Sequence, residues 1–241
     1  MSGQLIGVGV GPGDPELMTL KAIRVLQTAD VLAHFAKAGR PSHARTSAQR
    51  FLPAKFIEAP LLYPLTTEQP ANSPCYRSTI DTFFDEAAAG LSRHLDAGRV
   101  VVVLSEGDPL FFGSYMHLHV RLQNRYPVQV IPGVTAMSAA WCAVGTAMVR
   151  GDRALTVLPA TMPEADIRER LQRNESAVIM KIGRNLEKIR RALAACGRLD
   201  DAVYIECVSM GEQQVMRLAE KQDDDAPYFA MILLPDPWEL S

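Results

Sequence analysis

The segment Leu5–Leu32, LIGVGVGPGDPELMTLKAIRVLQTADVL, decides the fold. Leu5 to Val10 is a short run of apolar residues and glycines that ends in a glycine-rich loop, as a strand buried on both faces does. Asp14 is placed to cap a helix that begins at Pro15, with Glu16 favourable in its first turn. Met18, Ala22, Val25, Leu26 and Ala29 then recur at helical spacing, and DVLAHF reads as the next strand. Strand, glycine loop, helix and strand in 28 residues make the opening of an α/β domain with a parallel sheet.

The same alternation continues along the chain. Five prolines between Pro53 and Pro74 break any long element, so this stretch reads as an irregular flap. A helix is expected over Tyr76–Ala97, stopped by Gly98. RVVVVLSEGDPLFFG then gives a second buried strand running into a second glycine loop. YPVQVIPG places a strand at the expected domain boundary, which divides the chain into residues 1–126 and 127–241. Beyond it come an alanine-rich helix (TAMSAAWCAVG), the strand ALTVLP and a helix around Ile167. The strand SAVIMKI, a helix from Leu186 and the strands AVYIECV and YFAMILL complete the pattern. The triplet Asp223–Asp225 reads as a solvated turn.

Composition narrows the function. A net charge of −2, with 48% hydrophobic and 22% charged residues, lacks the basic surplus of a nucleic-acid protein. Clean apolar runs such as Val100–Leu104 are far shorter than the roughly 20 residues of a membrane span. Cys75, Cys142, Cys196 and Cys207 have no two-residue spacing, so they read as buried free thiols in a reducing cytoplasm rather than a metal or redox pair. No charged leader with an apolar segment and cleavage site opens the sequence.

Neither of the common phosphate-binding fingerprints fits the first loop. Read from Gly7, the last position of G-x-G-x-x-G is Pro12; read from Gly9, it is Asp14. There is no Gly-Lys-Ser or Gly-Lys-Thr. The second loop, EGDPLFFG, repeats the Gly-Asp-Pro of the first after another buried strand, and loops after parallel strands converge where ligands bind. Asp108 suits a hydrogen bond to a ribose or an amine, or a turn of its own. In VIPGVTAMSAA, Pro132 and Gly133 turn the chain into a helix whose opening amides favour a carboxylate.

Together GVGPGDPELMTLKAIRVLQTADVL, VVVLSEGDPLFFG, VIPGVTAMSAA, VIMKIGRNLEKI and IECVSMGEQQV resemble the tetrapyrrole methylases, in family order and over nearly the whole chain. AHFAKAGRPSHAR, GSYMHLHVRL, LTVLPAT and PYFAMILLP are similar to members acting on precorrin-2. The resemblance implies two α/β domains with the active cleft between them, and S-adenosylmethionine as methyl donor. It places Pro12, Glu106, Gly107, Asp108 and Phe111 against the donor from the first domain, with Asp108 contacting it through its carboxylate. Thr135 and Ala136 fall by the methionine portion, and Met180, Val208, Pro227 and Tyr228 around the adenine. It also implies a homodimer.

The implied reaction is methylation of a meso carbon of precorrin-2, an enamine-like nucleophile, with the protein aligning the partners and excluding water. The meso proton must leave, and His34, Glu106 and Tyr115 are the candidate bases. Family members acting on uroporphyrinogen carry Tyr-Asp where this chain has His34-Phe35, which puts that substrate in doubt. Lys37, Arg40, Arg45 and Arg77 are candidates for holding substrate carboxylates. His117 and His119 are two apart on a helix and face different ways. Three rival readings stand: the same methylation on a cobalt-loaded substrate, a non-catalytic S-adenosylmethionine sensor, and a nicotinamide oxidoreductase, the last disfavoured by the failed fingerprint.

Overall fold

The structure is a computed structural model that describes residues 2–64, 74–173 and 175–236, with the backbone alone described at Pro74 and Cys75. The chain forms two compact units, Met1–Thr135 and Ala136–Ser241.

The first unit is built on five parallel strands in the order β3-β2-β4-β1-β5. These are β1 (Gln4–Gly9), β2 (Val31–Lys37), β3 (Ile57–Tyr63), β4 (Val100–Ser105) and β5 (Val128–Ile131). Alternate strand residues feed two cores. Leu5, Val31, Ala33, Val101 and Val103 pack against α3 (Pro74–Asp96) and α4 (Tyr115–Leu122). Ile6, Val8, Leu32, Val102 and Leu104 pack against α1 (Leu20–Leu26) and α2 (His43–Ala48). Burial on both faces is why these strands read as unbroken apolar runs.

Three sequence expectations change here. The Asp14 cap holds only a 3₁₀ turn, Pro15–Leu17; Met18 is extended, and Thr19 restarts the chain as α1 by accepting the Ala22 N–H. The proline-rich stretch contains a strand, β3, because Pro60 sits at the sheet edge, where alternate N–H groups have no ladder partner to lose. Residues 65–73 of that stretch lie outside the described residues. The division between units falls after Thr135 rather than at 126/127, because Val128–Ile131 pairs with β1 and so belongs to the first sheet.

The second unit carries a mixed sheet, β6-β7-β10-β8-β9, from β6 (Leu155–Pro159), β7 (Ser176–Met180), β8 (Val203–Glu206), β9 (Gln214–Arg217) and β10 (Ala230–Leu234). β10 runs antiparallel to both β7 and β8, and β6 parallel to β7. The carboxyl ends of β6, β7 and β8 therefore share one edge with the start of β10. Helices α6 (Glu164–Leu171) and α7 (Leu186–Ala195) cover one face through Ile167, Leu171, Leu186, Ile189 and Leu193. Helix α5 (Ala136–Val144) covers the other through Ala140 and Trp141. The short polar strand β9 has no apolar alternation strong enough to announce it. The acidic triplet is tied down as well as solvated: Asp223 pairs with Lys221 and Asp224 with Arg190, each at 2.7 Å.

Cys142, Cys196 and Cys207 are free thiols, but Cys142 is exposed and Cys196 and Cys207 are only half-buried, so they are not the buried thiols expected; the Cys75 side chain lies outside the described residues. Among the described residues no helix is long and apolar enough to cross a membrane.

Candidate active site

In the first unit the loops after β1, β4 and β5 leave adjacent strands and interlock through backbone. The Val10 N–H donates to Ser105 O at 3.0 Å, and the Gly107 N–H to Gly11 O at 2.8 Å, so the ladder continues past the sheet. A Cβ on Gly133 would lie 2.1 Å from Gly107 O, and one on Gly9 would lie 2.5 Å from the same atom. The glycines are thus required by backbone packed on backbone, which answers why the loop is glycine-rich without a phosphate fingerprint. Pro12 is buried at this junction.

Asp108 ties the loops together. Its Oδ1 accepts the Leu110 N–H at 2.9 Å, and its Oδ2 accepts the Gly133 N–H at 3.1 Å. Each oxygen thus accepts one backbone amide, so the carboxylate braces the β4 and β5 loops while keeping further acceptor capacity. Beyond it, Phe111 is half-buried, while Leu110 and Phe112 are 49% and 40% exposed. Phe112 holds a left-handed φ of 54°, unusual for a residue with a Cβ. Thr135 and Ala136, the last residue of one unit and the first of the next, are both half-buried.

The second unit shows a matching concentration of unusual backbone. Lys181 (φ 59°) follows β7, and Cys207 (φ 48°) and Ser209 (φ 63°) follow β8. Such positions cost energy and gather at ligand sites. Met180 is half-buried beside Lys181, Val208 is 5% exposed between the other two, and the Cys207 N–H donates to Phe229 O at 2.8 Å. That bond draws the Pro227–Phe229 segment to the same edge, where Pro227 is exposed and Tyr228 is 79% exposed. Four residues expected around the adenine, Met180, Val208, Pro227 and Tyr228, therefore lie together on one sheet edge. Nothing in the sequence announces the left-handed backbone of Lys181, Cys207 and Ser209.

The three candidate bases differ sharply. Tyr115 is fully buried, with its ring where a Gly7 side chain would be: a Cβ there would meet Tyr115 Cζ at 2.4 Å. Burial pushes its phenol up to about 12, so it stays protonated near neutrality and is unsuited to accept a proton. His34 is 7% exposed; its Nε2 lies 3.2 Å from Glu58 Oε1, and its Nδ1 is buried without a hydrogen-bond partner. Burial lowers its pKa against the opposing pull of Glu58, so the ring is neutral and walled in. Glu106 is exposed at the carboxyl end of β4, and one of its oxygens is anchored by the Ala44 N–H at 3.1 Å. It is the one carboxylate among the three candidates and the one that is exposed.

The expected substrate cations also separate. Lys37, Arg40 and Arg77 are exposed. Arg45 instead donates from Nε to Glu58 Oε1 at 2.8 Å, sharing that oxygen with His34. Glu58, which no motif singled out, thus fixes both partners; Arg45 holds its carboxyl below the ordinary range against the opposing effect of desolvation. His117 stacks on Phe84 at 4.1 Å between ring centroids, and His119 Nδ1 lies 3.4 Å from the Tyr115 hydroxyl. Among the described residues no three His, Cys, Asp or Glu side chains are grouped to hold a metal.

Comparison with known proteins shows the family. Residues 4–222 match the family described as tetrapyrrole (corrin/porphyrin) methylases. The chain is 57% identical over 233 residues to a precorrin-2 C(20)-methyltransferase of Sinorhizobium sp, covering 97% of this chain and 95% of that protein. It is 30% identical over 244 residues to a cobalt-precorrin-2 C(20)-methyltransferase of Salmonella typhimurium, covering 99% of each. Among solved structures, a uroporphyrin-III C-methyl transferase of Thermus thermophilus, complexed with S-adenyl homocysteine, superposes with a TM-score of 0.69 at 25% identity, covering 97% of this chain and 92% of that one.

Proposed function

The chain belongs to the tetrapyrrole methylases, and from that premise we propose that it methylates carbon 20 of precorrin-2, giving precorrin-3A in cobalamin biosynthesis. It is an S-adenosylmethionine-dependent C-methyltransferase. The observation that carries the choice of substrate is the 57% identity, spread over 97% of the chain, to a protein of that name. The chain's own residues suit the donor. Its adenine ring has flat apolar faces, and Phe111, Phe112, Met180 and Pro227 supply apolar surface on the loops described above. Bound donor supplies a methyl group already activated on a sulfonium, so the protein's work is alignment and exclusion of water.

When the meso carbon gains the methyl, the sulfur keeps the electron pair of the broken bond and the carbon has a proton to lose. Glu106 is the group assigned to receive it, as an exposed carboxylate held at one oxygen by the Ala44 amide. Lys37, Arg40 and Arg77 hold substrate carboxylates in this reading, and Arg45 acts on the site through Glu58. The enzyme is proposed to work as a homodimer, as the family resemblance implies, and in the cytoplasm, which its free cysteines suit; sedimentation of the purified protein tests the dimer.

The test is incubation with S-adenosylmethionine and either metal-free or cobalt-loaded substrate, followed by product mass. One added methyl on metal-free precorrin-2 supports the proposal. Turnover of the cobalt form alone assigns the activity carried by the name of the Salmonella typhimurium relative instead. Donor binding with no transfer to either would leave a sensor.

A further inference from the structure

We propose that Lys181 is a substrate-binding residue whose ammonium receives one of the side-chain carboxylates of the tetrapyrrole. The inference rests on the reading of the chain as a tetrapyrrole methylase. Its starting point is backbone geometry. Lys181 leaves β7 with a left-handed φ of 59°. For a residue with a Cβ this conformation is disfavoured, whereas glycine adopts it freely. Glycine stands two positions on, where Gly183 takes a φ of 41° and a Cβ would meet nothing within 4 Å. A lysine in this disfavoured conformation points to a task for the side chain.

Its place in the fold narrows the task. Lys181 follows Met180 on the edge where Cys207 and Ser209 also adopt left-handed backbone, and where the Pro227–Phe229 segment is drawn in. Of the four left-handed non-glycine residues among the described residues, three lie on this one edge. The residue is exposed, yet desolvation by the surrounding protein lowers its ammonium's pKa. A partly desolvated cation gains from an incoming carboxylate more than a fully hydrated one does.

The sign of the charge separates the two ligands. S-Adenosylmethionine carries a sulfonium and an α-ammonium against a single carboxylate, a net positive charge, whereas precorrin-2 brings several acetates and propionates and is strongly negative. These considerations assign Lys181 to the tetrapyrrole.

Two variants test the assignment, Lys181→Gly and Lys181→Arg. Each is titrated anaerobically with precorrin-2 by absorbance change, with S-adenosylhomocysteine calorimetry and thermal melts alongside. Lys181→Gly removes the charge and relieves the backbone, so its Tm is expected to hold or rise by about 2 °C. Its tetrapyrrole Kd should rise about tenfold, the scale of one charge-assisted hydrogen bond, with S-adenosylhomocysteine affinity within about twofold of wild type. Lys181→Arg should keep the tetrapyrrole Kd within about threefold, because the charge is retained. Unchanged tetrapyrrole affinity in Lys181→Gly overturns the inference, as does a loss that falls on S-adenosylhomocysteine instead. Wild type that binds precorrin-2 without methylating it refutes the proposed reaction, while the Lys181→Gly titration still decides the inference. Wild type that does not bind precorrin-2 overturns both.

Discussion

Removing the Asp108 carboxylate separates a brace from a ligand. In Asp108→Ala the Leu110 and Gly133 amides lose their acceptors, at 2.9 and 3.1 Å. The Leu110 amide is exposed and water replaces its partner, at a cost of about 0.5 kcal/mol, whereas the partly buried Gly133 amide, bonded to a charged group, loses about 1.5 kcal/mol. The sum, about 2 kcal/mol, lowers Tm by about 4–8 °C in a chain of this size. Affinity for S-adenosylhomocysteine should fall with it, because the β4 and β5 loops are no longer fastened to each other. Asp108→Asn keeps one carbonyl oxygen and should recover about half of the lost stability, since its NH₂ faces an amide donor rather than an acceptor. Chemical denaturation and calorimetry on the three proteins make the comparison. Unchanged stability in Asp108→Ala, together with a tenfold or greater loss of S-adenosylhomocysteine affinity, would refute the brace and restore the carboxylate as a direct contact.

Other perturbations test the surrounding structure. Gly133→Ala drives a Cβ to 2.1 Å from Gly107 O and 2.9 Å from Gly9 Cα, both backbone, so the first unit should fail to fold in soluble expression. Gly211→Ala, with nothing within 4 Å, should stay within about 0.5 kcal/mol of wild type. His34 has a folded pKa depressed below its ordinary 6.5 by burial, against the effect of Glu58, with Arg45 lowering it further and Glu106 raising it. The unfolded chain therefore protonates first, so this contribution is whole above about pH 6.5 and is lost as pH falls through the folded value. Melts of His34→Phe between about pH 7.5 and 5 should show a shallower decline than wild type. Replacing Lys37 and Arg40 together by glutamine should raise the KM for the tetrapyrrole by about 0–1 kcal/mol per exposed pair, and added salt should mimic it in wild type. Arg45→Gln should instead lower stability, because Glu58 and His34 lose the group that fixes them.

The parallel architecture of the first unit is legible because strands buried on both faces leave unbroken apolar runs such as Val100–Leu104, and because the glycine loops punctuate them. Edge strands leave weaker traces. β3 hides behind Pro60, and β9 is the polar stretch QVMR. Among the site residues, the loop glycines announce themselves by spacing, although the reason for them, backbone packed against Gly107 O, is tertiary. The Asp108 Oδ1 bond to the Leu110 amide is the local turn the sequence allows, but the Oδ2 bond depends on the β5 loop arriving beside it, 25 residues later, and no local pattern encodes that. Glu58 is silent for the same reason: its partners His34 and Arg45 come from β2 and α2. Tyr115 is plausible as a base until the ring is seen packed on Gly7, which buries the hydroxyl and raises its pKa. The left-handed backbone at Lys181 breaks the ordinary preference of its residue type, so propensity could not foretell it.

The central claim is methyl transfer to one carbon of one substrate, and the most direct measurement is to follow the methyl itself. Purified protein is incubated anaerobically with isotope-labelled S-adenosylmethionine and precorrin-2, and the product is examined by nuclear magnetic resonance. The account predicts a single labelled methyl on carbon 20, in a product one methyl group heavier than precorrin-2. A label on any other carbon, or unlabelled precorrin-2 recovered from protein that binds S-adenosylhomocysteine, would contradict it.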